Sequence, residues 1–191
     1  MIMQTNRLEA FSDGVLAIII TIMVLELKPP METDFNSLIT KIPVFLSYLF
    51  SFIYVGIYWN NHHHLFQVTK KVNGKILWAN LHLLFWLSLI PFTTAWIGKN
   101  YTEKVPIISY GFVLLCSAIA YFILQAEIIK SHDDEFELRE VIGTDTKGKI
   151  SIVLYLVGIL FAFFNAWVAL LFYVIVAIMW LIPDKRIEKN I

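Results

Sequence analysis

From Ile150 to Ile182 the chain runs for 33 residues without a charged side chain. As one helix rising about 1.5 Å per residue, that block would be about 50 Å long. The hydrocarbon core of a bilayer is only about 30 Å thick. The block is therefore read as two tight spans, 150–164 and 166–182, turning near Phe164, Asn165 and Ala166; one long tilted helix is the other way to lay it out. Four more apolar runs precede it, at 8–27, 42–60, 76–97 and 105–126. The third contains His82 and Pro91. The expected fold is an all-α integral membrane protein, with six transmembrane helices in a single domain covering 1–191.

Composition agrees. Hydrophobic residues make up 58% of the chain and charged ones 16%, against about 25% charged in ordinary soluble domains. A soluble globule of this size could not hide that much apolar surface in one core. The net charge is zero and there is one cysteine. Disorder, nucleic-acid binding and a disulfide scaffold are all excluded on these grounds.

Orientation follows from the basic residues, which concentrate on the cytoplasmic side of membrane proteins. The N-terminal tail, the second-to-third and fourth-to-fifth loops and the C-terminal tail hold 11 of the 15 lysines and arginines. The opposite loops hold Lys28, Lys41, Lys99 and Lys104. Both termini are expected in the cytoplasm. Met1 to Arg7 lacks a basic stretch followed by a cleavage site, so the first apolar run reads as a retained helix. The acidic run at 132–140 reads as a solvated cytoplasmic helix extension, because its spacing does not fit an EF-hand loop.

Catalytic signatures are missing, so no enzyme is expected. There is no phosphate-binding glycine loop and no nucleophile elbow. Cys116 lies in mid-span and reads as a packing residue. The Thr-Val-Gly-Tyr-Gly potassium filter is absent, as are the regularly spaced arginines of a voltage sensor. His62, His63 and His64 point about 100° apart on a helix and cannot all face one metal ion. One of them is expected to turn inward and the others to reach the cytoplasmic interface.

The first helix carries the informative residues. Its uncharged centre, Gly14 to Leu25, is too short to span, so Phe11, Ser12 and Asp13 must enter the membrane or sit at its edge. Ser12 and Asp13 could be a plain helix cap. An ionisable residue at a membrane helix end is also a candidate functional group that needs a partner. Ile18, Thr21, Ile22 and Leu25 fall at i, i+3, i+4 and i+7, on one helix face. That spacing by itself fits ordinary packing as well as a pore.

Arg7, then Phe11-Ser12-Asp13, then Thr21 resemble the arginine-phenylalanine-serine-aspartate signature of the transmembrane protein 175 family, lysosomal potassium channels and their prokaryotic homologues. Trp59, His62, Leu65 and Phe66 fit the family's second-helix pattern, and Asn80-Leu81 and Pro91-Phe92 fit the third. The resemblance implies a weakly to moderately potassium-selective cation channel. It implies a single six-helix repeat, as in the prokaryotic members, so that four copies must surround one pore in a homotetramer. The first helix would line that pore, with Ile18 as the narrowest ring, Ile22 and Leu25 beyond it, and Thr21 supplying a hydroxyl. Ile18 stands where some prokaryotic relatives have leucine.

On the same resemblance, Arg7, Phe11, Ser12 and Asp13 would form a structural network with His62 and Asn80, or Asp13 would line the vestibule. The implied partners are the lipid bilayer, other copies of the chain, and permeant potassium and other monovalent cations. No cofactor, resident metal or nucleic acid is implied, and the location would be a prokaryotic cell membrane. The alternative is a proton pathway or secondary carrier built on His62, His82 and Asp13.

Overall fold

The computed structural model describes residues 5–131 and 145–181. Its helices are α1 (Thr5–Leu25), α2 (Phe35–Ile39), α3 (Ile42–Gln67), α4 (Gly74–Ser88), α5 (Ile90–Lys99), α6 (Lys104–Ser131), α7 (Thr146–Ala162) and α8 (Ala166–Leu181). There is no β-strand among the described residues. The fold is all-α, as the apolar runs imply. The acidic run at 132–140 and the basic residues 185, 186 and 189 lie outside the described residues.

Short polar side chains start several helices by accepting otherwise unpaired N–H groups. Asp34 accepts from the Ser37 amide at the head of α2, and Asn73 from the Lys75 and Ile76 amides at the head of α4. Asp145 accepts from Gly148 at the head of α7, and Asn165 from Trp167 and Val168 at the head of α8. Pro43 occupies the first turn of α3, where its missing N–H costs nothing.

Between α4 and α5 the chain tightens at Leu89, whose N–H reaches Trp86 at 3.2 Å. Pro91 explains the break, because it has no N–H to give the carbonyl four residues back. The two pieces still make one apolar rod, Gly74–Lys99, of 26 residues. Rods of similar or greater reach are α1, α2–α3 and α6. The hairpin arms α7 and α8 are shorter, 17 and 16 residues, or about 25 Å each.

The bundle has two cores. One joins Leu16, Ile19 and Met23 of α1 to Leu65 of α3, Leu83 and Leu87 of α4, and Leu124 of α6. The other joins α3, α5 and α6 to the α7–α8 hairpin around Tyr54, Tyr110, Tyr155 and Tyr173. Tyr173 fits because Gly111 and Gly158 present no side chain to it; a Cβ at either would overlap its ring. Its hydroxyl donates to the Ile107 carbonyl at 3.4 Å, and Tyr54 donates to the Tyr173 carbonyl. Thus α1 packs on α3, α4 and α5, and the hairpin packs on α6 and α3.

Candidate functional site

Two faces of α1 have opposite fates. Leu8, Ser12, Leu16, Ile19 and Met23 recur every three or four residues and are buried against the bundle. The other face carries Arg7, Phe11, Gly14, Ile18, Thr21, Ile22 and Leu25, and it is bare. Ile18 is 60% exposed and Leu25 70%, whereas Ile19 is 2% exposed. The four residues of the sequence stripe therefore share one open face.

Thr21 has a specific chemistry there. Its hydroxyl donates back to the Ala17 carbonyl at 2.8 Å. With its proton used by the helix, the oxygen offers its lone pairs outward, as an acceptor for a cation.

Ser12 anchors the buried face. Its hydroxyl donates to the Leu8 carbonyl at 2.8 Å and accepts from Asn80 Nδ2 at 2.9 Å. Asn80 Oδ1 lies 2.8 Å from His62 Nε2. Because that oxygen only accepts, His62 carries a proton on Nε2. All three side chains are buried, so one hydrogen-bonded chain ties α1 to α4 and α4 to α3.

The structure brings together Ser12, Asn80 and His62, and leaves the rest of the expected network outside. Asp13 does not reach His62 or Asn80. It lies on the exposed side of α1 and accepts from the indole N–H of Trp59 at 3.0 Å. The helix turn separating positions 12 and 13 by about 100° is the reason. Arg7 and Phe11 are exposed on the bare face, and Arg7 makes no hydrogen bond or ion pair among the described residues.

His82 bonds to the Trp86 indole at 2.9 Å. His62, His82 and Asp13 therefore have separate hydrogen-bond partners among the described residues. His63 and His64 face away from the core that holds His62.

Sequence reasoning missed two partners here. One is Trp59, which meets Asp13. The other is Glu9, whose Oε1 lies 3.5 Å from His63 Nδ1. The available signal was the Trp59–His63 spacing of four residues, which stacks the two rings 6.2 Å apart.

Comparison with known proteins bears on this helix directly. Residues 7–91 match the family described as endosomal/lysosomal potassium channel TMEM175. A potassium channel from a Chryseobacterium strain is 59% identical over 99% of this chain and 98% of its own length. The crystal structure of a lysosomal potassium-selective channel TMEM175 homolog from Chamaesiphon minutus superposes with a TM-score of 0.81 at 28% identity, covering 93% of this chain and 96% of that one. The mouse endosomal/lysosomal proton channel TMEM175 is 31% identical over 66% of this chain but only 26% of its own length.

Proposed function

This chain belongs to the TMEM175 family, and on that premise we propose that four copies enclose a potassium-conducting path lined by α1. The protein is an integral membrane potassium channel, and the whole of 1–191 acts as one channel unit. The observation that carries the pore assignment is the bare face of α1, where Thr21 stands between Ile18 and Leu25. The Asp13 carboxylate is also exposed, on a flank of α1 where it accepts from Trp59 of α3. A helix turned toward lipid gains nothing from those oxygens, whereas a helix turned toward a water-filled axis does.

In this reading Ile18 forms the narrowest ring, with Ile22 and Leu25 beyond it. An apolar ring gates by losing its water, which leaves an ion facing a desolvation barrier. Potassium gives up its hydration shell more readily than sodium, so partial dehydration favours potassium. Four Thr21 hydroxyls would replace some of the lost oxygens. Ser12, Asn80 and His62 would hold the rotation of α1 and so the diameter of the ring. The reading places both termini in the cytoplasm and the channel in a prokaryotic cell membrane.

Purified protein in liposomes under a potassium gradient tests this. Flux of about 10⁶ ions per second or more per assembly is expected, since a carrier cycling on microseconds to milliseconds cannot sustain it. The assembly should have the mass of four 22.1 kDa chains. A conducting monomer, or slow saturable flux, would overturn the reading.

A further inference from the structure

Two apolar surfaces at one end of the bundle are left uncovered within one chain. The first is a groove of about 560 Å³ between α1 and the α4–α5 rod. Ile22, Pro91, Phe92 and Trp96 line it, with Glu26 and Lys99 where α1 and α5 finish. Those two charges form no ion pair with each other among the described residues. A water takes up about 30 Å³, so the groove has room for large side chains.

The second surface is the segment that leaves α1 and leads into α3. No side chain of α2 is buried. Met31 is fully exposed and Phe35 is 85% exposed. Phe35, Leu38 and Ile39 fall at i, i+3 and i+4 and form one apolar ridge. Exposed apolar side chains grouped in this way mark a surface that meets protein or lipid.

The groove and the ridge lie on opposite flanks of α1. Ile22 and Glu26 turn toward α5. Asp13 turns the other way, toward Trp59 of α3, the rod that α2 heads. Both surfaces are at the same end, because α2 follows directly on the end of α1.

A ring of copies around an axis needs this arrangement. Each copy meets its two neighbours through two different patches, and the ring closes only if one patch fits the other. With the bare face of α1 turned to the axis, the groove of one copy looks toward the α2–α3 side of the next. Charge matches as well: exposed Lys28 and Glu32 accompany Met31 and answer Glu26 and Lys99. Phe163 and Phe164, in the α7–α8 turn, are also exposed. They lie in a stretch without charge, on a hairpin that packs on α6 and α3 rather than on α1.

We propose that Met31 and Phe35 of one copy seat in the α1–α5 groove of the next, and that this contact, repeated head to tail, closes the ring around the pore. The inference rests on the four-copy reading above. Because the groove shares Ile22 with the pore face, the contact would bear on the helix that lines the ion path.

Crosslinking tests it. In a Cys116→Ala background, Phe35→Cys and Phe92→Cys are combined in one full-length chain and the protein is treated in membranes with a short bismaleimide. Denaturing gels should show a ladder ending at four chains. Chains carrying one cysteine each, made together, should give covalent dimers and nothing larger. Phe164→Cys combined with Phe92→Cys should give no product. Independently, Phe35→Ser should increase dissociation of the assembly in detergent several-fold, and Phe164→Ser should leave it unchanged. The mass of the untreated assembly tests the pore reading separately. A four-chain assembly whose Phe35–Phe92 double variant stays at one chain, as lipid over both surfaces would leave it, would overturn this contact and leave the pore reading standing. Equal ladders from the Phe35 and Phe164 pairings would overturn it as well.

Discussion

Ser12 on α1 and Asn80 on α4 meet through a 2.9 Å hydrogen bond between two side chains with no solvent exposure. Asn80 also meets His62, so one amide serves two helices. Asn80→Leu leaves the buried His62 ring nitrogen unpaired, at about 1–3 kcal/mol, and leaves Ser12 only its bond to the Leu8 carbonyl. Asp13→Asn should cost less than about 1 kcal/mol, because the amide oxygen can still accept from Trp59 at an exposed site. Thermal unfolding of the purified assemblies measures the difference. Equal losses would show that the Ser12–Asn80–His62 chain is not what holds α1.

Gly111 faces Tyr173 across the second core, where a Cβ would overlap the tyrosine hydroxyl and ring. Alanine is favoured over glycine inside a helix by about 1 kcal/mol. Overpacking a tight core costs about 1–3 kcal/mol, so Gly111→Ala should be net destabilising by up to about 2 kcal/mol. A lower unfolding temperature checks this; a higher one would mean that Tyr173 has room to move.

Sidedness is open to direct labelling. Lys71 and Lys99 lie at opposite ends of the α4–α5 rod, Gly74–Lys99. In a Cys116→Ala background, Lys71→Cys should react with an impermeant thiol reagent only from the cytoplasmic side, and Lys99→Cys only from the outside. The same sidedness at both positions would exclude a membrane-crossing rod between them.

The fold was legible where bilayer thickness dictates it. The apolar runs had to become helices, since a backbone in lipid must satisfy its own hydrogen bonds. Where hydropathy stops informing, the reading stopped too. The run at 42–60 marks the apolar part of α3, yet the helix continues to Gln67, because Asn61 bonds back to the Ile57 carbonyl and His62 finds Asn80. Pro91 was visible, but not that it would divide the rod at Leu89. The tyrosine core was invisible, because aromatic residues in a membrane chain suggest interfaces as readily as interiors. On α1, spacing defined the stripe from Ile18 to Leu25 but could not say which side the bundle occupies. That depends on Ser12 facing in and Asp13 facing out.

Ile18 and Ile19 give the sharpest test of the pore face, being chemically identical neighbours about 100° apart on α1. Ile18 is 60% exposed and Ile19 is 2% exposed. Ile18→Asn would place an amide oxygen where an apolar ring offers an ion nothing in place of its hydration shell. Conductance should rise several-fold, and discrimination between potassium and sodium should fall, because dehydration is no longer forced. Thr21→Val keeps the shape and removes the outward oxygen, so selectivity should drop without an increase in conductance. Ile19→Asn instead buries an unpartnered amide between α1 and the bundle, at about 1–3 kcal/mol, and should reduce assembly and yield. Single-channel recording with a parallel measure of the yield of assembled protein separates these outcomes. Were Ile19→Asn to open the pore while Ile18→Asn lost assembly, the face of α1 turned to the ion would be the one now assigned to packing.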